Sequence, residues 1–425
     1  MKQTDGMHTP VSDPGRIWRV TGQRLHGIRC KMLSSRSRAW LSVAKRSFSG
    51  RAWKNVSVIV AWLVIMMLFV SWPQNGFNIK GPKWVFNVHP AQCQRARNIV
   101  YLKTHKCGSS TMLNILLRNG IANQLNFVLP KDGTNYIGHP KLFTQSLIID
   151  MRDYNQTNNV IAHHTRFSKE AIMEVMPRDS FYITTLRRPE QVFESMFSYY
   201  NLERYFRKNV TAFVNDSNLT GILRKKRARD GKVGFNQMSF DLGLAPEQFD
   251  NATAVDEFIN FIDRTFHLVM IVDRFDESIV LFKNLLCWRT EDVVAFKVNA
   301  RKSTFRVPMA PAVVETLRAL NSADTKLYEH FVGIFQEKVR AFGESRMDQE
   351  VNALRRLRQN YYDRCVERED ISKKLTRDEW SYQVLGFKLK EQSEKCRQMT
   401  MTELQFHKVL QRRQRDLVLN VPNKV

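Results

Sequence analysis

The segment IVYLKTHKCGSSTMLNILLR, Ile99 to Arg118, joins an apolar run to a helical pattern through a short turn rich in lysine and hydroxyl side chains. Such a turn is an anion cradle. Gly108 lets the backbone close on a ligand, the N–H groups that open a helix lack intrahelical acceptors, and Lys106 adds its charge to the positive end of the helix dipole. Lys103, Thr104, Lys106, Cys107, Gly108, Ser109, Ser110 and Thr111 are therefore the candidate contacts for a bound anion. Capping by Ser109 would explain the helix start, but not Lys103, His105 and Lys106 gathered in one turn. In a nucleoside-triphosphate loop, G-x-x-x-x-G-K-[ST], the lysine follows the second glycine; here Lys106 precedes Gly108.

A second anion site is written into FYITTLRRPEQVFESMF. A strand ends at Leu186, Arg187 and Pro189 follow, and Ser195 lies eight residues after Arg187 inside the next helix. An arginine at the carboxyl end of a strand can fork onto a phosphate that a helical serine hydroxyl also reaches. Proline at the first position of an ordinary helix explains Pro189 but not that spacing.

The elements that must position these residues follow from periodicity. Short apolar runs alternate with helical patterns: NIVYL then STMLNILLRN, VIA then SKEAIMEVM, FYITTL then EQVFESMFSYY, LVMIV then DESIVLFKNLL. Four strand-then-helix repeats predict an α/β fold, a central, mostly parallel sheet flanked by helices. LVMIVD, ending at Asp273, reads as one more buried strand rather than a magnesium-holding one. Between Arg207 and Phe249 the pattern lapses, which predicts a long surface insertion containing the basic string RKKRAR at Arg224 to Arg229, read as a solvated loop.

The 425 residues carry 66 Lys and Arg against 41 Asp and Glu, a net charge of +25, with 43% hydrophobic residues. That composition excludes a wholly disordered chain and implies an anionic partner or surface. Residues 1–55 hold twelve Lys or Arg and only Asp5 and Asp13, and Val56 to Trp72 follows without a charge. The pattern predicts a single N-terminal transmembrane helix acting as an uncleaved signal-anchor, with the basic tail cytoplasmic and everything beyond Trp72 across the membrane. The expected organisation is a tail over 1–55, the span over 56–72, a stem over 73–97, a catalytic domain over 98–345 and a helical C-terminal extension over 346–425. Asn155, Asn209, Asn215, Asn218 and Asn251 each open an N-x-[ST] acceptor site, as expected of lumenal glycoprotein surface. A lumenal protein meets no nucleic acid. Among six cysteines there is no CxxC pair to suggest zinc; Cys365 with Cys396 is one conceivable disulfide, Cys93 or Cys287 could supply others, and the sequence does not assign them.

K-x-G-[ST]-[ST] after a strand, with R-x-P-x-x-x-x-x-S downstream, resembles the 5′-phosphosulfate and 3′-phosphate sites of sulfotransferases, which use 3′-phosphoadenosine 5′-phosphosulfate (PAPS). Within that class LKTHKCGSSTMLNILLR, HHTRF at His163 to Phe167, LRRPEQVFES, FKVNARKS at Phe296 to Ser303 and LGFKLK at Leu385 to Lys390 resemble the galactose 3-O-sulfotransferases of the Golgi, from about Asn98 to beyond Met399. The resemblance implies a P-loop-like sulfotransferase fold in a single-pass type II Golgi membrane enzyme with a lumenal catalytic domain. It implies sulfate transfer from PAPS, with no metal required, to the 3-hydroxyl of galactose on a glycolipid, such as galactosylceramide, or a glycoprotein, and it admits a homodimer. Lys106 would neutralise the bridging oxygen as the nucleotide leaves, while Arg187 and Ser195 hold the 3′-phosphate. His164 is the implied general base, since attack by a sugar hydroxyl needs a proton acceptor that titrates near neutrality. His163 is its immediate rival, His105 a contact for donor or acceptor, and Arg166 a lesser candidate for orienting an anion, otherwise a surface ion pair. Lys297, Arg301 and Lys302 would form a late basic loop over the nucleotide. A carbohydrate kinase of the same fold and a non-catalytic glycan-binding protein are the alternatives.

Overall fold

The computed structural model describes residues 93–227, 230–298, 308–371 and 385–419. The expected tail and membrane span, most of the stem, Ala228, Arg229, Arg301 and Lys302 lie outside the described residues. Among the described residues no helix is long and apolar enough to cross a membrane.

Four buried strands form the central sheet: β1 (Ile99–Leu102), β4 (Val160–Ile161), β5 (Phe181–Leu186) and β6 (Leu268–Ile271), in the order β4-β1-β5-β6 with every pairing parallel. β2 (Leu129–Pro130) and β3 (Ile148–Ile149) pair separately. Each sheet strand leads to a helix, as the alternating patterns predict: α1 (Ser109–Ala122) after β1, α2 (Lys169–Val175) after β4, α3 (Pro189–Tyr199) after β5 and, later, α9 (Phe275–Leu285) after β6. The strands are mostly apolar because helices cover both faces of a parallel sheet, and Ile99, Val100, Tyr101 and Leu102 are all fully buried. The LVMIVD segment is a sheet strand as expected, and Asp273 after it accepts from the Tyr328 hydroxyl at 2.8 Å.

Between α3 and β6 come α4 (Leu202–Phe206), α5 (Val210–Val214), α6 (Leu219–Arg227), α7 (Gln237–Asp241) and α8 (Ala252–Thr265). The expectation of a surface insertion here holds only for its first half. Val233 and the residues from Phe235 to Leu242 are buried. Arg227, read from sequence as part of a solvated basic string, is also buried; it donates from Nη1 to the Gly231 carbonyl at 2.8 Å and from Nη2 to Gln237 Oε1 at 3.1 Å. A guanidinium can be buried this way because its fork of donors is matched by fixed acceptors.

The chain then forms α10 (Thr290–Val293), α11 (Pro311–Leu320), α12 (Ser322–Phe342), α13 (Glu344–Cys365), the antiparallel pair β7 (Val366–Ile371) and β8 (Leu385–Leu389), α14 (Glu394–Thr400) and α15 (Glu403–Leu419). α15 returns to the sheet domain. Gln414 mimics a neighbouring strand against Phe127, donating to its carbonyl at 2.9 Å and accepting from its N–H at 3.0 Å. Disulfides join Cys93 to Cys287 and Cys365 to Cys396, with Cα separations of 5.7 and 5.3 Å.

Candidate active site

β1 runs straight into the predicted cradle. Thr104, His105 and Cys107 are buried, whereas Lys106 and Ser110 are partly open and Gly108 is exposed. The turn is tight: Lys106 has φ 58° and Gly108 φ 68°, both in the left-handed region that costs a side-chain-bearing residue energy. Gly108 is the N-cap of α1 and no side chain caps the helix. Ser109 is already the first helical residue, so capping by Ser109 does not explain the motif. The Thr111 N–H turns back to the Gly108 carbonyl at 3.1 Å. An exposed glycine at the open end of a fourteen-residue helix suits an anionic group, because the backbone there is approachable and the dipole is positive.

The two sequence motifs meet. Arg187, the first residue after β5, donates from Nη1 to the Lys106 carbonyl at 3.1 Å and from Nε to Gln191 Oε1 at 3.1 Å. Parallel pairing of β1 with β5 is what makes this possible, since it sets Leu102 beside Thr184 and brings both strand ends to one edge of the sheet. The Lys106 ammonium lies 3.6 Å from the centre of the Tyr199 ring at the far end of α3, the helix that also carries the half-buried Ser195. Lys103 is placed differently. It is 1% exposed and forms an ion pair with Glu403 of α15, which also accepts from Asn135 Nδ2 at 3.1 Å, so its ammonium is engaged inside the protein. Thr104 likewise bonds inward, to the Thr185 carbonyl, and Cys107 to the His105 carbonyl. Lys106, Gly108, Ser110 and Arg187 line the open part of the cradle.

Beside it lies a cluster of rings. The segment Tyr136 to Phe143 runs alongside His164 to Arg166 as a short parallel addition, with Ile137 N–H on the His164 carbonyl at 2.7 Å. His164 thereby packs against both His105, at 4.1 Å between centroids, and Tyr136, at 4.9 Å, and the Lys232 ammonium sits 4.0 Å over the Tyr136 ring. His163 points elsewhere: its Nε2 faces His407 Nδ1 of α15 at 3.0 Å, while His407 Nε2 donates to the Gly133 carbonyl at 3.1 Å. Burial pushes His105 down to about 4 and His163 down to about 3, and it holds His164 well below the ordinary imidazole value. All three are therefore neutral near pH 7, the form that accepts a proton.

At the centre is Asp241, at the end of α7, which no sequence motif marked. It is fully buried and accepts from the His105 backbone N–H at 2.8 Å, His105 Nδ1 at 2.8 Å, His139 Nε2 at 3.2 Å and Gln237 Nε2 at 2.9 Å. His105 and His139 hold its carboxyl below the usual range, outweighing desolvation. Arg166 turns inward to backbone carbonyls. It donates to the carbonyls of Phe240 at 3.0 Å and Leu244 at 2.8 Å, capping α7 from behind. Gly243 has φ 105°, and a Cβ there would lie 2.7 Å from the Phe167 carbonyl oxygen, so the HHTRF word and the α7 turn are fitted backbone to backbone. From the other side Asp324 of α12 accepts the N–H groups of Met238 at 3.0 Å and Ser239 at 2.7 Å.

His105, His139 and Asp241 each offer one ligand atom within 4.8 Å of the others. Both carboxylate oxygens already accept from the two rings, so a metal ion would have to displace those hydrogen bonds.

The galactose-3-O-sulfotransferase family model matches residues 54–414. The chain belongs to that family. It is 35% identical over 340 residues to the human galactosylceramide sulfotransferase, covering 75% of this chain and 79% of that one. It is 30% identical over 369 residues to the mouse galactose-3-O-sulfotransferase 3 (78% and 83%) and 30% identical over 335 residues to the human galactose-3-O-sulfotransferase 2 (73% and 81%). As a family member it is a sulfotransferase. The motif words of the turn, of HHTRF and of LRRPEQVFES come together in the fold of this family member, beside Asp241, His139, Tyr136 and Glu403.

Proposed function

We propose that this enzyme transfers the sulfuryl group of PAPS to the 3-hydroxyl of a galactose carried by a glycolipid or glycoprotein. The observation that carries the reading is the 3.1 Å contact of Arg187 with the Lys106 carbonyl, which joins two anion-binding motifs into one continuous cationic edge beside neutral imidazoles. A donor with phosphate at both ends requires such a pair of sites, and the left-handed turn with its exposed glycine accepts the 5′ end. The donor supplies an activated sulfuryl group. Lys106 and the N–H groups at the start of α1 oppose the charge that develops on the leaving phosphate; Arg187 and Ser195 hold the far phosphate; and the His105–His164 stack receives the hydroxyl proton.

The acceptor class follows from the relatives, one of which is named for galactosylceramide. The five acceptor asparagines are all exposed, and the Asn209 and Asn251 hydrogen bonds to Ala212 and Ala254 use Oδ1 rather than Nδ2, the atom to which a glycan is attached. That supports a lumenal catalytic domain behind the Val56 to Trp72 span, in a Golgi membrane. The test is transfer of radiolabelled sulfate from PAPS by the full chain in detergent, against galactosylated lipids and oligosaccharides, with and without chelator. Label on the galactose 3-position is expected in both. Label dependent on divalent cation would reopen the site to a metal, and label from the γ-phosphate of ATP instead would favour a kinase.

A further inference from the structure

We infer that Asp241 is a positioning residue that makes His105, rather than His164, the general base of this site; the inference rests on the sulfuryl-transfer reading above. Three features of the geometry support it. First, the Asp241 carboxylate engages the His105 backbone N–H and ring Nδ1 through the same oxygen, each at 2.8 Å, so both the place and the rotation of the ring are fixed. With Nδ1 donating to a carboxylate, the neutral ring must carry its lone pair on Nε2. That atom is buried and has no hydrogen-bond partner.

Second, the carboxylate is built to keep its charge. Its other oxygen accepts from His139 Nε2 at 3.2 Å and Gln237 Nε2 at 2.9 Å, and Gln237 Oε1 in turn accepts from Arg227 Nη2 at 3.1 Å. A buried carboxylate with four donors is stable as the anion, and the anion stabilises the imidazolium formed when His105 takes a proton. Third, His164 lacks such a carboxylate. Its Nδ1 is buried without a partner and the charged groups acting on it, Lys103 and Lys232 among them, disfavour a proton. Its ring packs nearly flat on His105, 4.1 Å between centroids, so it backs the His105 ring rather than standing apart as a separate base.

In the step this assigns, the galactose oxygen bonds to sulfur as its proton passes to His105 Nε2. The sulfur–oxygen bond to the 5′-phosphate breaks with its electron pair staying on the phosphate, and the proton is later released from His105 to water. His139 and Gln237 hold Asp241, Asp241 holds His105, and only His105 meets the acceptor.

The test compares Asp241→Asn, His105→Gln, the double variant and His164→Gln in the full chain. It measures kcat, KM for PAPS and acceptor, and binding of 3′-phosphoadenosine 5′-phosphate. Asp241→Asn should lower kcat by about 10²- to 10⁴-fold, because the amide no longer enforces the Nδ1–H tautomer, with product-nucleotide binding within a few-fold of wild type. The double variant should lose no more than His105→Gln alone, and His164→Gln should lose less than either. Because the buried asparagine could disturb folding, ¹⁵N-histidine spectra of the wild-type protein give a second measurement: the His105 signal, assigned by its loss in His105→Gln, should show Nδ1 protonated and Nε2 bare near neutral pH. Near-wild-type kcat in Asp241→Asn, additive losses in the double variant, or an Nε2–H tautomer would each overturn the inference while leaving the proposed reaction intact. Absence of sulfate transfer by the wild-type chain would instead remove the reaction itself.

Discussion

At Lys106 a side-chain-bearing residue is held at φ 58°, its carbonyl bonded by Arg187 and its ammonium laid over Tyr199. Strain kept at such a residue persists only where the surroundings over-determine it, and here they point the backbone of one anion motif at the side chain of the other. Lys106→Ala is expected to reduce turnover by about 10²- to 10³-fold, the usual loss on removing one preorganised charge-stabilising donor, while the thermal midpoint stays close to wild type because the ammonium is only partly buried. Turnover within a few-fold of wild type would show that the cradle lies elsewhere. The placement of Lys106 and Gly108 in a strand-to-helix turn, and of Arg187 at a strand end, was legible in the sequence because it depends on local order. Asp241 was not, since a lone aspartate in FDLG acquires meaning only from rings 136 and 102 residues away. Lys103 shows the converse: it belongs to the right word, yet its partner Glu403 turns its charge inward.

At the scale of elements, α15 is part of the site's foundation rather than an appendage. It supplies Glu403 to Lys103, His407 to His163 and Gln414 to the backbone of Phe127. Breaking a buried ion pair from one side leaves an uncompensated charge and costs about 3–5 kcal/mol. Glu403→Ala should therefore lower the unfolding free energy by roughly that amount, and Lys103→Met combined with Glu403→Leu should recover much of it; denaturant unfolding of the three proteins measures both. The α/β alternation was readable from sequence because a buried parallel strand is a continuous apolar run, and all four predicted strand–helix pairs formed. The α7 region misled because its polar residues are buried against distant partners: Asn236 and Ser239 bond Asn321 and Asp324, 85 residues away, and Asp241 bonds His105 and His139. Polarity in sequence reads as surface unless the partners are already known.

For the whole molecule, pH acts through groups the core has displaced from their ordinary values. His105 and His163 titrate near 4 and 3 in the folded state against 6.5 in the unfolded chain, and His164 is displaced the same way. The unfolded chain thus binds more protons below 6.5, so stability present above that pH is lost as pH falls toward 4, at about 1.4 kcal/mol per pH unit for each net proton. Asp324, raised to about 6 by burial, works in the opposite sense, favouring the fold below its unfolded value of 3.8 and losing that contribution as pH rises through 6. Three imidazoles outweigh one carboxyl. Calorimetric melts should show the midpoint falling on acidification from about pH 6.5, with a shallower slope in His163→Asn; a flat profile would mean these rings are protonated or solvated in the native protein. Reduction should act on the same melts, since the Cys93–Cys287 bridge spans 194 residues and closing a long loop is worth roughly 3–5 kcal/mol. With five exposed acceptor asparagines, glycosidase treatment of membrane-derived protein is expected to lower its apparent mass; an unchanged mass would count against the lumenal orientation.

The ion pair of Lys103 with Glu403 closes a separation of 300 residues. During synthesis the cradle is made early and its counter-charge late. Until α15 has emerged and docked, the turn between β1 and α1 keeps a lysine that nothing neutralises, and the fold has reason to leave that turn open to water. Completion of the cradle's surroundings therefore waits on α15, and a chain stopped short of residue 403 should be released with its sheet formed and its site unfinished.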